Sequence, residues 1–210
     1  CASNANNVLT DFLRTGVYDR QRDFFKTISP SMDILISSNL ERLLYHMTED
    51  KAKVASWMQQ LQQQGRYDVG SELLAKIQQT FWADWTSDED TEACIAEVYR
   101  KHHYVADPHT AVAWSVAEKY QQATGDAHHM VVADGEPLKF NGSVLDALGV
   151  KTQGVDEFTL LDELQRRNED PIPEGLASLR KKAVRHDGVC APATMEKAVM
   201  LFASADSVQE

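Results

Sequence analysis

The sequence is poor in cysteine and glycine, and it has no long apolar run. Its three cysteines, Cys1, Cys94 and Cys190, are odd in number, widely spaced and without a Cys-x-x-Cys pair. That excludes a disulfide framework and a zinc-ribbon type of site, and it points to a reducing cytoplasm. Only 10 glycines occur, scattered singly, so no glycine-rich loop is present to cradle a phosphate with successive backbone N–H groups. The longest apolar stretch, Ala198–Ala203, is far short of the roughly 20 residues that cross a bilayer, so no membrane span is expected. Basic residues are outnumbered, 21 Lys and Arg against 32 Asp and Glu. A surface of that sign repels a phosphate backbone, and nucleic acid is excluded as a partner. There is also no initiator Met and no basic-then-apolar leader, so the opening at Cys1 reads as a point inside a longer protein.

What remains is an ordinary globular composition, 43% hydrophobic and 25% charged over 210 residues. Residues 1–36 are the least regular, with Ile34-Leu35-Ile36 as a short strand or buried turn. From Ser38 the apolar residues Leu40, Leu43, Leu44, Met47, Val54, Trp57, Met58 and Leu61 recur at helical spacing, which predicts a helix that Gly65 ends. Further helices are predicted after Ser71, after the acidic cap Ser87–Asp90, and from Asp107-Pro108 to Gly125. Met130–Ala133 reads as a buried strand. Short helical patterns follow at 144–148, 160–164, 176–184 and 195–202. The whole reads as mainly α-helical with a few strands. His102-His103 and His128-His129 lack companions at ligand spacing, and the four tryptophans sit on or beside apolar helical patterns, where packing accounts for them.

Several blocks carry a family resemblance: Ala2–Leu9 with Thr15–Tyr18, Ser29–Ile34 with Ser37–Leu44, Asp107–Val112, and Pro137–Phe140. In order and spacing this set resembles the C-terminal portion of a threonine synthase, an α/β enzyme of the fold type II pyridoxal-phosphate class. The resemblance implies that residues 1–145 are part of the large cofactor-domain region with a helical insertion, and that 146–210 form a C-terminal helical tail. It implies O-phosphohomoserine as substrate, with threonine and phosphate as products. It also implies that the cofactor lysine and the phosphate-binding loop belong to a missing N-terminal half, so that the isolated chain is inactive.

Each candidate site residue has a local reading beside the one the resemblance implies. Asn4 and Asn6, with Asn7, form a cap and turn by local pattern, while the resemblance places them beside the cleft. Ser29, Ser31 and Asp33 are partners for an anion or amine, and Ser-Pro-Ser is also a common turn. Asn39 and Arg42 lie one helical turn apart, where Arg42 can grip a phosphate or join a surface ion pair. His109 and Thr110 sit at a helix start beside the capping residue Asp107. Where the family carries Ser-Thr-Ala-Ser, this chain has Ala133-Asp134-Gly135-Glu136, so Asp134 would replace the hydroxyl that faces the pyridine nitrogen. A carboxylate there would favour a protonated ring. If that segment has lost its function, the chain is instead a non-catalytic helical module for protein interaction.

Overall fold

A computed structural model describes residues 1–133, 135–168 and 170–205, arranged as two compact units that divide between Pro171 and Ile172. Asp134 lies outside the described residues. In the first unit β1 (Ala2–Ser3) leads into α1 (Val8–Thr15) and β2 (Val17–Asp19). Then come α2 (Leu40–Thr48), α3 (Lys51–Gln64), β3 (Arg66–Asp68), α4 (Ser71–Gln78) and β4 (Asp84–Trp85). The unit continues with α5 (Asp88–His102), α6 (Pro108–Thr124), α7 (Asn141–Ala147) and α8 (Glu157–Asn168). β1 and β4 pair in parallel, with Ala2 opposite Asp84, and β2 and β3 pair antiparallel, with Tyr18 opposite Tyr67.

The core is built where α1 to α4 close over the β2–β3 ribbon. Val8 and Phe12 share the inner face of α1 by their i, i+4 spacing, and they meet Leu44, Trp57, Leu61, Tyr67, Leu73 and Ile77. Tyr18 and Tyr67 stack with ring centroids 5.3 Å apart, and Phe12 leans on Tyr18 at 5.9 Å. Burial raises the Tyr67 hydroxyl well above its ordinary pKa. Gly65 ends α3 at φ 75°, and a Cβ there would stand 2.7 Å from the Gln21 Cγ, so only glycine fits. A second buried group, including Ile95, Val98, Val112, Val144, Leu145 and Leu164, joins α5 to α6, α7 and α8, while α6 also packs on β1 and β4. In the second unit α9 (Glu174–Ala177) precedes a 3-10 turn (Ser178–Lys181) and α10 (Met195–Ala205). No helix among the described residues is long and apolar enough to cross a membrane.

Four expectations need correction. The helix predicted across 40–64 is two helices. Glu49 turns left-handed at φ 54°, and Asp50 caps the next helix by accepting from the Ala52 and Lys53 N–H groups, each at 3.0 Å. Met130–Ala133 is not a strand, since Met130 is 89% and Val132 72% exposed and the segment pairs with no described strand. An apolar run becomes a strand only with a ladder to join, and among the described residues β1 pairs with β4 alone. Ile34–Ile36 is a bend, and 176–184 holds only the end of α9 and the 3-10 turn.

Candidate functional site

The turn between β1 and α1, the loop 24–37 and the start of α6 converge on one buried polar network. Asn4 is 1% exposed, and its Oδ1 accepts from the Asn6 N–H at 2.9 Å. Its Nδ2 lies 2.8 Å from Thr27 Oγ1, 3.0 Å from Ser29 Oγ, 3.2 Å from the Ser29 carbonyl and 2.8 Å from Asp33 Oδ1. Two protons among four oxygens leave the amide fully engaged. Asn6 pairs with the Phe25 backbone like a short rung of ladder, donating at 2.8 Å and accepting at 2.9 Å, and it also donates to Asp33 Oδ1. Asp33 closes the loop by accepting from the Thr27 hydroxyl at 2.7 Å and the Thr27 N–H at 3.1 Å. From below, the Tyr18 hydroxyl donates to the Leu35 carbonyl at 3.1 Å and accepts from the Ser37 N–H at 2.8 Å.

The α6 start forms the other side. Asp107-Pro108 begins this helix because the carboxylate caps free N–H groups and proline needs none. Asp107 Oδ1 accepts from the His109 N–H at 2.9 Å and pairs with His109 Nδ1 at 2.8 Å, while Oδ2 accepts from the Thr110 hydroxyl and N–H. Burial pushes the Asp107 carboxyl up, but the hydrogen bonds from His109 and Thr110 outweigh it and hold the group below its ordinary value. His109 Nε2 accepts from the Ser31 N–H at 3.1 Å, which ties α6 to the loop across 78 residues. Phe140 meets the imidazole edge to face at 4.9 Å. Gly135 lies so close that a Cβ would stand 2.9 Å from Asp107 Oδ2.

Thus Asn4, Asn6, Ser29, Asp33, Ser31, His109 and Thr110 share one network, in which only Ser31 is exposed as a residue. Asn39 and Arg42 lie elsewhere. Arg42 donates to Asn39 Oδ1, and with Tyr45, His46, Lys51 and Met58 it lines a groove of about 660 Å³ between α2 and α3. Thr27, Tyr18 and Asp88 were not anticipated. Asp88 accepts from the Ile28 N–H at 3.3 Å, and burial raises its carboxyl, with Asp33 adding to the rise. Its place in the acidic first turn of α5 suits the helix dipole and gives no signal of this contact across the fold. His102, His103, His128 and His129 are exposed, and no metal-binding group of three occurs among the described residues.

Chemically the network offers carboxylates and a hydroxyl, with its donors already spent inside. None of the described lysines is buried, and among the described residues no glycine-rich turn borders the network.

No protein-family profile matches the chain. It is similar to threonine synthase-like 1 of Macaca fascicularis, 42% identical over 153 residues, which is 72% of this chain and 20% of that protein. It is also similar to the threonine synthase of Saccharomyces cerevisiae, 31% identical over 86% of this chain and 37% of the relative. Among solved structures, the pyridoxal-phosphate-bound threonine synthase from Brucella melitensis superposes with a TM-score of 0.67 at 37% identity, over 77% of this chain and 34% of that one. The yeast enzyme gives 0.70 at 30% identity, over 87% and 37%. The chain therefore spans between a fifth and two fifths of the length of these relatives. Sequence and fold agree over most of its residues, and the chain belongs to the threonine synthase family of fold type II pyridoxal-phosphate enzymes.

Proposed function

We propose that this chain forms the substrate-side wall of a threonine synthase that converts O-phospho-L-homoserine and water to L-threonine and phosphate, and that the chain alone is inactive. On this reading residues 1–145 belong to the large cofactor-domain region and 146–210 to a helical tail, in a cytoplasmic enzyme completed by a further N-terminal portion. Bound pyridoxal phosphate supplies the electron sink. The chain's own part is to bind and orient.

The observation that carries the reading is the convergence itself. Three segments that resemble the family, around Asn4, Ser29 and His109, lie within hydrogen-bond reach of one another although the last two are 78 residues apart in one contact. A wall whose side chains are locked by each other holds substrate in one pose, which is how positioning lowers a barrier. Its half-buried carboxylate, Asp33, suits the amine end of the substrate. The phosphate end calls for cations, and Arg42 in the α2–α3 groove, held by Asn39, is the candidate within this chain.

Two measurements test this. Mixing the 210-residue chain with pyridoxal phosphate and borohydride should trap no stoichiometric lysine adduct; one uniquely modified lysine would overturn the division of labour. Adding the N-terminal portion of a relative such as the yeast enzyme should give phosphate release from O-phosphohomoserine that neither piece shows alone. Release by the isolated chain, or none in a folded complex, would count against the assignment.

A further inference from the structure

Both ring nitrogens of His109 are engaged, and their partners determine the tautomer. The Ser31 partner is a backbone N–H, which can only donate, so the Nε2 that faces it at 3.1 Å carries a lone pair. The ring proton therefore sits on Nδ1 and is donated to Asp107 Oδ1 at 2.8 Å. That carboxylate is in turn fixed by Thr110 and by the His109 N–H, and Phe140 meets the ring at 4.9 Å. The imidazole is 6% exposed, so neither nitrogen is open to a substrate.

From this geometry we infer that His109 is a positioning residue, not a catalytic acid or base: it transmits the rigid α6 cap to the Ser29–Asp33 turn and so places Ser31, the exposed hydroxyl-bearing residue of the network. The inference rests on the proposed substrate wall for its functional meaning, and its structural content stands apart from it. The link is directional. Asp107 sets the tautomer, the tautomer presents the lone pair, and the lone pair holds the Ser31 N–H. Ser29 and Asp33 have anchors of their own through Asn4, Asn6 and Thr27, whereas the Ser31 N–H is held by His109. A ring protonated on both nitrogens would turn N–H toward N–H and open the contact.

The test uses the 210-residue chain in solution. Nitrogen-15 spectra at pH 7 should show His109 Nδ1 protonated and Nε2 bare; a protonated Nε2 would overturn the inference, and this reading needs no variant to fold. In His109→Phe, which keeps an aromatic ring and removes both contacts, the Ser31 amide should exchange with solvent about tenfold faster, as loss of one hydrogen bond implies. Amides in the middle of α6, such as that of Val116, should not change. His109→Gln, whose amide oxygen is as many bonds from the backbone as Nε2, should restore much of the Ser31 protection. A general packing role would not give that rescue. Unchanged Ser31 exchange in a folded His109→Phe would refute the inference. Absence of threonine formation in the completed enzyme, with the exchange results as expected, would instead strike only the function proposed above.

Discussion

The sharpest perturbation is Asp107→Ala, because one carboxylate meets four donors in a site 1% exposed. Losing the cap of a 17-residue helix costs about 1 kcal/mol. The buried His109 Nδ1–H, left without an acceptor, adds a desolvation cost of about 1–3 kcal/mol. The expected loss is therefore about 3 kcal/mol, a large share of the 5–15 kcal/mol typical of a domain. Asp107→Asn keeps an acceptor in place and should lose only about 1 kcal/mol. Urea unfolding followed by tryptophan fluorescence measures both.

The same variant carries a pH signature. The folded carboxyl is held below its ordinary value of 3.8, so the unfolded chain binds the proton more readily. The stabilisation is complete above that ordinary value and is lost as pH falls through the lower, folded one. The gap between wild type and Asp107→Ala should thus be flat from pH 7 to about 5 and close below about 4. A loss under 1 kcal/mol at pH 7, or a gap that widens on acidification, would refute the account of the network.

Gly135→Ala would place a Cβ 2.5 Å from Asp107 Cγ, against a carboxylate that four donors prevent from yielding, and should cost about 1–3 kcal/mol by urea unfolding. In an Asp107→Ala background most of that cost should vanish, a coupling that a double-mutant cycle reads directly. Glu49→Gly should stabilise by about 0.5–1 kcal/mol, because φ 54° strains a residue with a Cβ. Ile77→Ala empties a fully buried site of the first core and should cost about 2–5 kcal/mol, measured as a lower urea midpoint at unchanged slope. Inorganic phosphate titrated into the chain should leave the His109 and Thr110 amide resonances in place, since Asp107 already accepts from both N–H groups.

What the sequence made legible was local. Ser87 before an acidic turn, Asp107-Pro108 and Gly125 each act within a few residues of themselves; α5 begins, and α6 begins and ends, where those signals stand. The break at Glu49 was hidden because the apolar pattern runs on through both helices, and the one residue that turns left-handed is not a glycine. Met130–Ala133 misled for the opposite reason: its pattern is that of a strand, but a strand is a property of its neighbours. At the site, Asn4, Asn6, Ser29 and Asp33 were legible as polar residues in turns. Thr27, Asp88 and Tyr18 were not, because nothing about an ordinary threonine, a first-turn aspartate or a core tyrosine announces contacts made across the fold.

The way the network is satisfied also limits what it can do. A helix N-terminus attracts anions through its free N–H groups and its dipole, and α6 is one of the helices whose start reaches the network. At α6 Asp107 already occupies that position with a negative charge of its own, sealed by Gly135, so an anion finds there neither donors nor attraction. The α6 start therefore works on geometry. It fixes His109, and His109 fixes Ser31.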